Sequence, residues 1–129
     1  MSQFKYGTVQ KIVGTNLWEV DKPFIWLIDY DKPKGWMIVL EKWFRTDYGS
    51  IPRVLWWLFD KTKYNAYIVH DKLYATHYFI NSSWEKKRIS RIEADKLLIK
   101  ILEYEGAWFF EKLFIYAGVR IGGFIWWNN

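Results

Sequence analysis

The chain has no cysteine among its 129 residues, which excludes disulfide staples and thiolate metal sites and fits a reducing compartment. It lacks a basic start followed by an apolar core, so no secretory signal peptide is expected. No apolar run approaches the roughly 18 residues a membrane span needs, and Arg120 interrupts the apolar C-terminal stretch. A soluble protein is therefore expected. Internal repeats, low-complexity tracts and domain linkers are also missing. Residues 1–129 read as one domain, long enough to bury roughly two-thirds of its unfolded surface.

What the chain has in abundance is aromatic surface. Phe, Trp and Tyr make up 22% of it, and the ten tryptophans exceed what a core of this size needs. Some must lie near the surface, where they suit protein interfaces, stacked ligands or the headgroup layer of a membrane. For any single one, padding of the core or its rim is the plainer account. The net charge of +5 is spread evenly, with ten basic and seven acidic residues in 1–64 and nine and seven in 65–129. Only Lys86, Lys87, Arg88 and Arg91 cluster, and such a run reads as a solvated approach to a helix rather than a phosphate grip. Nothing here is a strong nucleic-acid signal.

Residues 1–45 are predicted to form an antiparallel meander. Thr8 to Val13, Leu17 to Val20, Phe24 to Asp29 and Trp36 to Phe44 are rich in β-branched and aromatic residues, with turn residues at 14–16, 21–23 and 31–35 between them. Residues 46–129 are predicted to be mostly helical. Gly49 permits a turn, Ser50 is a cap, and Pro52 suits the first turn of a short helix over 54–59. A second helix is expected from Tyr64 through Tyr78 until Asn81-Ser82-Ser83 breaks it, with a loop up to Lys87. Ser90 and Glu93 form a capping box for a third, ending at Glu105-Gly106. The last helix, from Ala107, carries Phe109 or Phe110, Leu113 or Phe114, and Tyr116 or Ala117. The fold class is thus α+β, a small N-terminal antiparallel sheet packed on about four helices.

Chemistry concentrates in the second and third helices. Their spacing stacks His70 and Tyr74 on one face and turns Asp71 by about 100° from His70. Arg91 and Asp95 are i,i+4 neighbours. A hydrogen bond between His70 and Asp95 would fix the imidazole tautomer and leave its other nitrogen to take a proton from water. Asp71 would be placed to hold a cation, and the Arg45–Arg53 loop, with Asp47 and its carbonyls, could add oxygen ligands.

These residues carry a resemblance. Thr46-Asp47 with Ser50-Ile51-Pro52-Arg53, Tyr64 before His70-Asp71-Lys72-Leu73-Tyr74, Ser90-Arg91 with Ala94-Asp95, and Gly118-Val119-Arg120 with Gly122-Gly123 and a closing tryptophan resemble domain of unknown function 1353. The resemblance covers about residues 40–127 and implies a bacteriophage or prophage origin, in the host cytoplasm or the virion. It implies no activity. More distantly, the helix pair is similar to the phospholipase A2 arrangement, especially its minimal viral version. That similarity implies His70 as general base, Asp95 as the residue that orients it, and Tyr74 as support for Asp95. It implies Asp71 and the Asp47–Ser50 loop as Ca²⁺ ligands. The chain has neither the glycine-rich calcium loop nor the cysteines of the secreted forms.

Two readings follow. In one the protein is a metal-assisted hydrolase of lipid or other esters, with a lipid or membrane surface as partner. In the other it is a phage structural or host-interaction protein of the tail or lysis region. Its partner is then a host protein, His70 and Asp95 are a buried pair, Tyr74 is a satisfied core tyrosine, and Asp47 pairs with Arg91 or Arg53. A Ser50-His70-Asp triad is weaker, since no Gly-x-Ser-x-Gly elbow surrounds Ser50. A zinc site using His70, Asp71 and His77 would need two histidines two helical turns apart to meet on one ion. His77 is better read as surface or core packing.

Overall fold

The computed structural model describes residues 2–5, 8–15, 17–28, 35–46, 64–81, 83–123 and 127. In chain order the strands are β1 (Ser2–Lys5), β2 (Thr8–Lys11), β3 (Trp18–Lys22), β4 (Phe24–Ile28), β5 (Trp36–Leu40) and β6 (Arg45–Thr46), followed by helix α1 (Ala66–Thr76). Strands β7 (Tyr78–Ile80) and β8 (Lys86–Arg88) and helices α2 (Arg91–Tyr104) and α3 (Phe109–Gly122) complete the described elements. The fold is α+β. The expected helix over 54–59, and with it Asp47, Ser50 and Arg53, lies outside the described residues. The chain forms two compact units, residues 1–47 with 78–88, and residues 48–77 with 89–129.

The first unit holds two antiparallel sheets in place of the single expected meander, one ordered β1-β4-β5-β7-β8 and the other β2-β3-β6. Alternation explains the larger sheet. Phe24 and Trp26 of β4 stand opposite Leu40 and Ile38 of β5, and all four are buried, so their inward side chains share a face. The strand expected to continue to Phe44 is cut after Leu40. There the chain turns with Trp43 at φ 80°, and Arg45 and Thr46 pair with Glu19 and Trp18 in the other sheet.

Residues 78–88 depart furthest from expectation. Tyr78-Phe79-Ile80 continues the helical spacing, yet it pairs as β7 with β8, which lies where a loop was expected. Two local features cause the switch. His77 adopts a left-handed conformation and its amide closes onto the Leu73 carbonyl, which stops α1. The Asn81 side chain then accepts from the amides of Ser83 and Glu85, building the hairpin turn.

The second unit is built around α1, which buries Ala66, Tyr67, Ile68, Val69, His70, Leu73 and Tyr74. Its first amides are capped from a distance. Glu105 takes the Asn65 amide on Oε2 at 3.0 Å and the Ala66 amide on Oε1 at 2.8 Å. Helix α2 begins with the Ser90–Glu93 capping box and buries Leu97, Leu98, Ile101 and Leu102. Helix α3 inverts the usual pattern, burying Glu111, Ile115 and Val119 while Phe109, Phe110, Leu113 and Phe114 face out. Its charges hold it in that rotation. Glu111 accepts from the Tyr64 hydroxyl at 3.0 Å, and Arg120 donates to Asp95 at 2.8 Å.

Candidate functional site, a buried His70–Asp95 network

Asp95 is the hub of the second unit. Its side chain and that of His70 have 0% exposure, and Oδ1 lies 2.7 Å from His70 Nε2. The same oxygen accepts from the Tyr74 hydroxyl at 2.5 Å. On the other side, Oδ2 accepts from Arg120 Nη1 at 2.8 Å and lies 3.8 Å from Arg91 Nη1. Three helices therefore meet on one carboxylate. His70 and Tyr74 reach it from one face of α1, as four-residue spacing requires, and their rings sit 4.3 Å apart.

The protonation states follow from these bonds. Burial alone would raise the Asp95 pKa, but the hydrogen bond and charge of His70, then the bonds from Tyr74 and Arg120, hold it below the ordinary carboxylate value. Asp95 is therefore ionised and only accepts, so His70 Nε2 carries the hydrogen between them. In the neutral ring, Nδ1 is then the basic nitrogen. Burial first, and then Asp95, push the Tyr74 hydroxyl far above its usual range, so it stays a neutral donor.

Some participants had no role assigned from sequence. Arg120 and Gly123 belong to the C-terminal motif but gain their meaning only in three dimensions. A Cβ on Gly123 would stand 2.6 Å from the Tyr74 hydroxyl and 3.2 Å from Arg91 Nη1, so the absence of a side chain there makes room for the Tyr74–Asp95 bond. Arg91 donates to the Val119 and Arg120 carbonyls at 3.0 and 3.3 Å, satisfying the last turn of α3. The closing tryptophan, Trp127, stacks on His77 at 3.8 Å and meets the Tyr74 ring edge-on at 5.1 Å. Helix α1 ends at Thr76, so His77 is its buried left-handed cap rather than a further residue of the His70 face.

Asp71 is half-buried, next to His70 in sequence. The Ca²⁺ site implied by the phospholipase A2 resemblance would combine Asp71 with carbonyls of the 47–50 loop, which lies outside the described residues. Among the described residues no three His, Asp or Glu side chains gather into a metal-ligand group. The described donors do not complete a hard-cation site.

The comparisons with known proteins agree with the motif resemblance at family level only. No curated protein and no solved structure matches the chain. A family model described as protein of unknown function (DUF1353) matches residues 18–119, starting well before residue 40 and so taking in β3 to β6 as well as His70, Tyr74, Arg91 and Asp95, and ending one residue before Arg120. The chain is a member of the DUF1353 family.

Proposed function

We propose that this protein is a phage-type accessory hydrolase acting on lipid or other esters, with His70 as general base, Asp95 as its orienting partner and Tyr74 as the support of Asp95. The observation that carries this reading is the convergence of His70 Nε2 and the Tyr74 hydroxyl on one oxygen of Asp95. Because the His70 side chain is fully buried, this reading requires the site to open to substrate. In the open site His70 Nδ1 takes a proton from water as the water oxygen bonds to the ester carbonyl carbon. The imidazolium that forms is stabilised by ionised Asp95 across the Nε2 hydrogen bond. Collapse of the tetrahedral intermediate breaks the carbon–oxygen ester bond, and Nδ1 returns the proton to the leaving alkoxide. Arg120 on Oδ2 keeps the carboxylate ionised and fixed in position.

A second reading has its own support. The complete burial of both side chains suits a polar clamp that joins α1, α2 and α3 in a non-catalytic phage structural or host-interaction protein. Hydrolysis of phospholipid mixed micelles, with and without Ca²⁺, separates the two. The hydrolase reading expects fatty-acid release by the wild type and a loss of roughly 10²-fold or more in a folded His70→Asn variant. Release that survives in that variant, or no release by the wild type in either condition, leaves the clamp.

A further inference from the structure

Helix α3 is built inside out. Its three charged residues are all engaged: Glu111 is buried against Tyr64, Arg120 binds Asp95, and Lys112 lies 3.5 Å from Glu103. Opposite them, Phe110, Phe114, Ala117 and Ile121 follow the 3.6-residue repeat along the outer face, where Phe110 is 65% and Ile121 77% exposed. Phe109, the first residue of the helix, is equally open, and Trp108 carries exposed aromatic surface one residue beyond the helix N-terminus. Beside it, between α2 and α3, opens a groove of about 320 Å³ with Ile99, Leu113 and Tyr116 along its wall and Lys96 and Lys112 at its rim. Lys100, one turn from Lys96 on α2, is exposed as well.

We infer that this face docks on an anionic lipid surface, with Trp108, Phe110 and Phe114 entering the boundary between headgroups and acyl chains while Lys96 and Lys100 meet lipid phosphates. Charge is the argument for lipid over a second copy or another protein. The outer strip itself carries none, and on the α2 side Lys96, Lys100 and Lys112 outnumber Glu93 and Glu103, with Lys112 paired to Glu103. Lysine is depleted from protein interfaces, whereas at a bilayer its long stem lies along the apolar layer and its ammonium reaches the phosphates. Fourteen helical residues, about 21 Å in length, fit a helix that lies in the interface plane. No helix among the described residues is long and apolar enough to cross a membrane. The inference deepens the ester-hydrolase reading by naming an anionic bilayer as its working surface, but docking requires nothing of His70.

Flotation with vesicles of ether-linked phospholipids, which contain no ester to cleave, tests docking apart from turnover. The wild-type chain is expected to float with vesicles of phosphatidylcholine mixed with phosphatidylglycerol, and far less with phosphatidylcholine alone. A Phe110→Ser/Phe114→Ser variant, altered only at exposed positions and keeping the wild-type circular dichroism and melting temperature, is expected to lose about 10-fold or more in partition. A Lys96→Glu/Lys100→Glu variant is expected to lose about 10-fold with the anionic vesicles only. Failure of the wild type to float with either vesicle, or equal flotation of the variants, overturns the inference. So does a concentration-dependent dimer without flotation that the Phe110→Ser/Phe114→Ser change dissolves, since the face would then be a self-interface.

Discussion

Helices α2 and α3 have the same length and share one unit, yet they solve opposite problems. Helix α2 turns Leu97, Leu98, Ile101 and Leu102 inward and leaves Lys96, Lys100 and Glu103 to water, as hydrophobic burial dictates. In α3 the inward places go to Glu111, Ile115 and Val119, and the large aromatic residues are left outside. Specific bonds account for the difference. Tyr64 and Asp95 each demand a partner from α3, and a buried charge without one costs more than an exposed phenylalanine. The contrast teaches that polar networks can set the rotation of a helix, and that the apolar side left over is then free for another surface.

The contrast can be broken at its hub. Asp95→Ala removes the shared acceptor of His70, Tyr74 and Arg120 and is expected to cost about 3–5 kcal/mol in urea unfolding. The same group sets a pH signature. Its folded pKa lies below its unfolded value, so its contribution is complete at neutral pH and is lost as pH falls below about 4 and on through the folded pKa. Asp95→Asn should therefore flatten the acid limb of the stability curve. Glu105 works in the opposite sense. Burial raises its pKa against the bonds from Asn65 and Ala66, so its ionisation weakens the fold as pH rises and its protonation offsets part of the acid loss.

Smaller effects sharpen the comparison inside α3. Ile115, 1% exposed, and Phe114, 53% exposed, are neighbours in sequence, turned about 100° from each other around the helix. Ile115→Ala should cost about 2–5 kcal/mol, and Phe114→Ala should change stability by no more than about 0.5 kcal/mol. Equal losses at the two sites would mean that the outer strip is covered. Between these lies Gly123→Ala, whose Cβ collides with the Tyr74 hydroxyl, with an expected cost of about 1–3 kcal/mol. Combining it with Tyr74→Phe removes the colliding oxygen, so a double-mutant cycle should show a loss smaller than the sum of the two.

Much of the fold was legible wherever local signals agreed. Alternation in Phe24-Ile25-Trp26 and the Ser90–Glu93 box marked β4 and the start of α2 directly. Residues 78–80 look helical in sequence because Tyr74 and Tyr78 keep a helical spacing that only the backbone at His77 interrupts. The rotation of α3 was hidden for a different reason. Periodicity identifies an apolar stripe but not which side faces the core, and partners 25 to 47 residues away decided it. At the site, the i,i+4 rule brings His70 and Tyr74 together, whereas Arg120 and Gly123 meet them through long-range packing that no local pattern encodes.

Asp95 sets the protonation of the His70 ring, and long-range ¹H–¹⁵N correlation of the histidine side chains reads this directly. The neutral His70 ring is expected to carry its proton on Nε2, with Nδ1 unprotonated, and Asp95→Asn is expected to disturb this state. A His70 ring protonated on Nδ1, with Nε2 unprotonated toward Asp95, would rule out that role for Asp95.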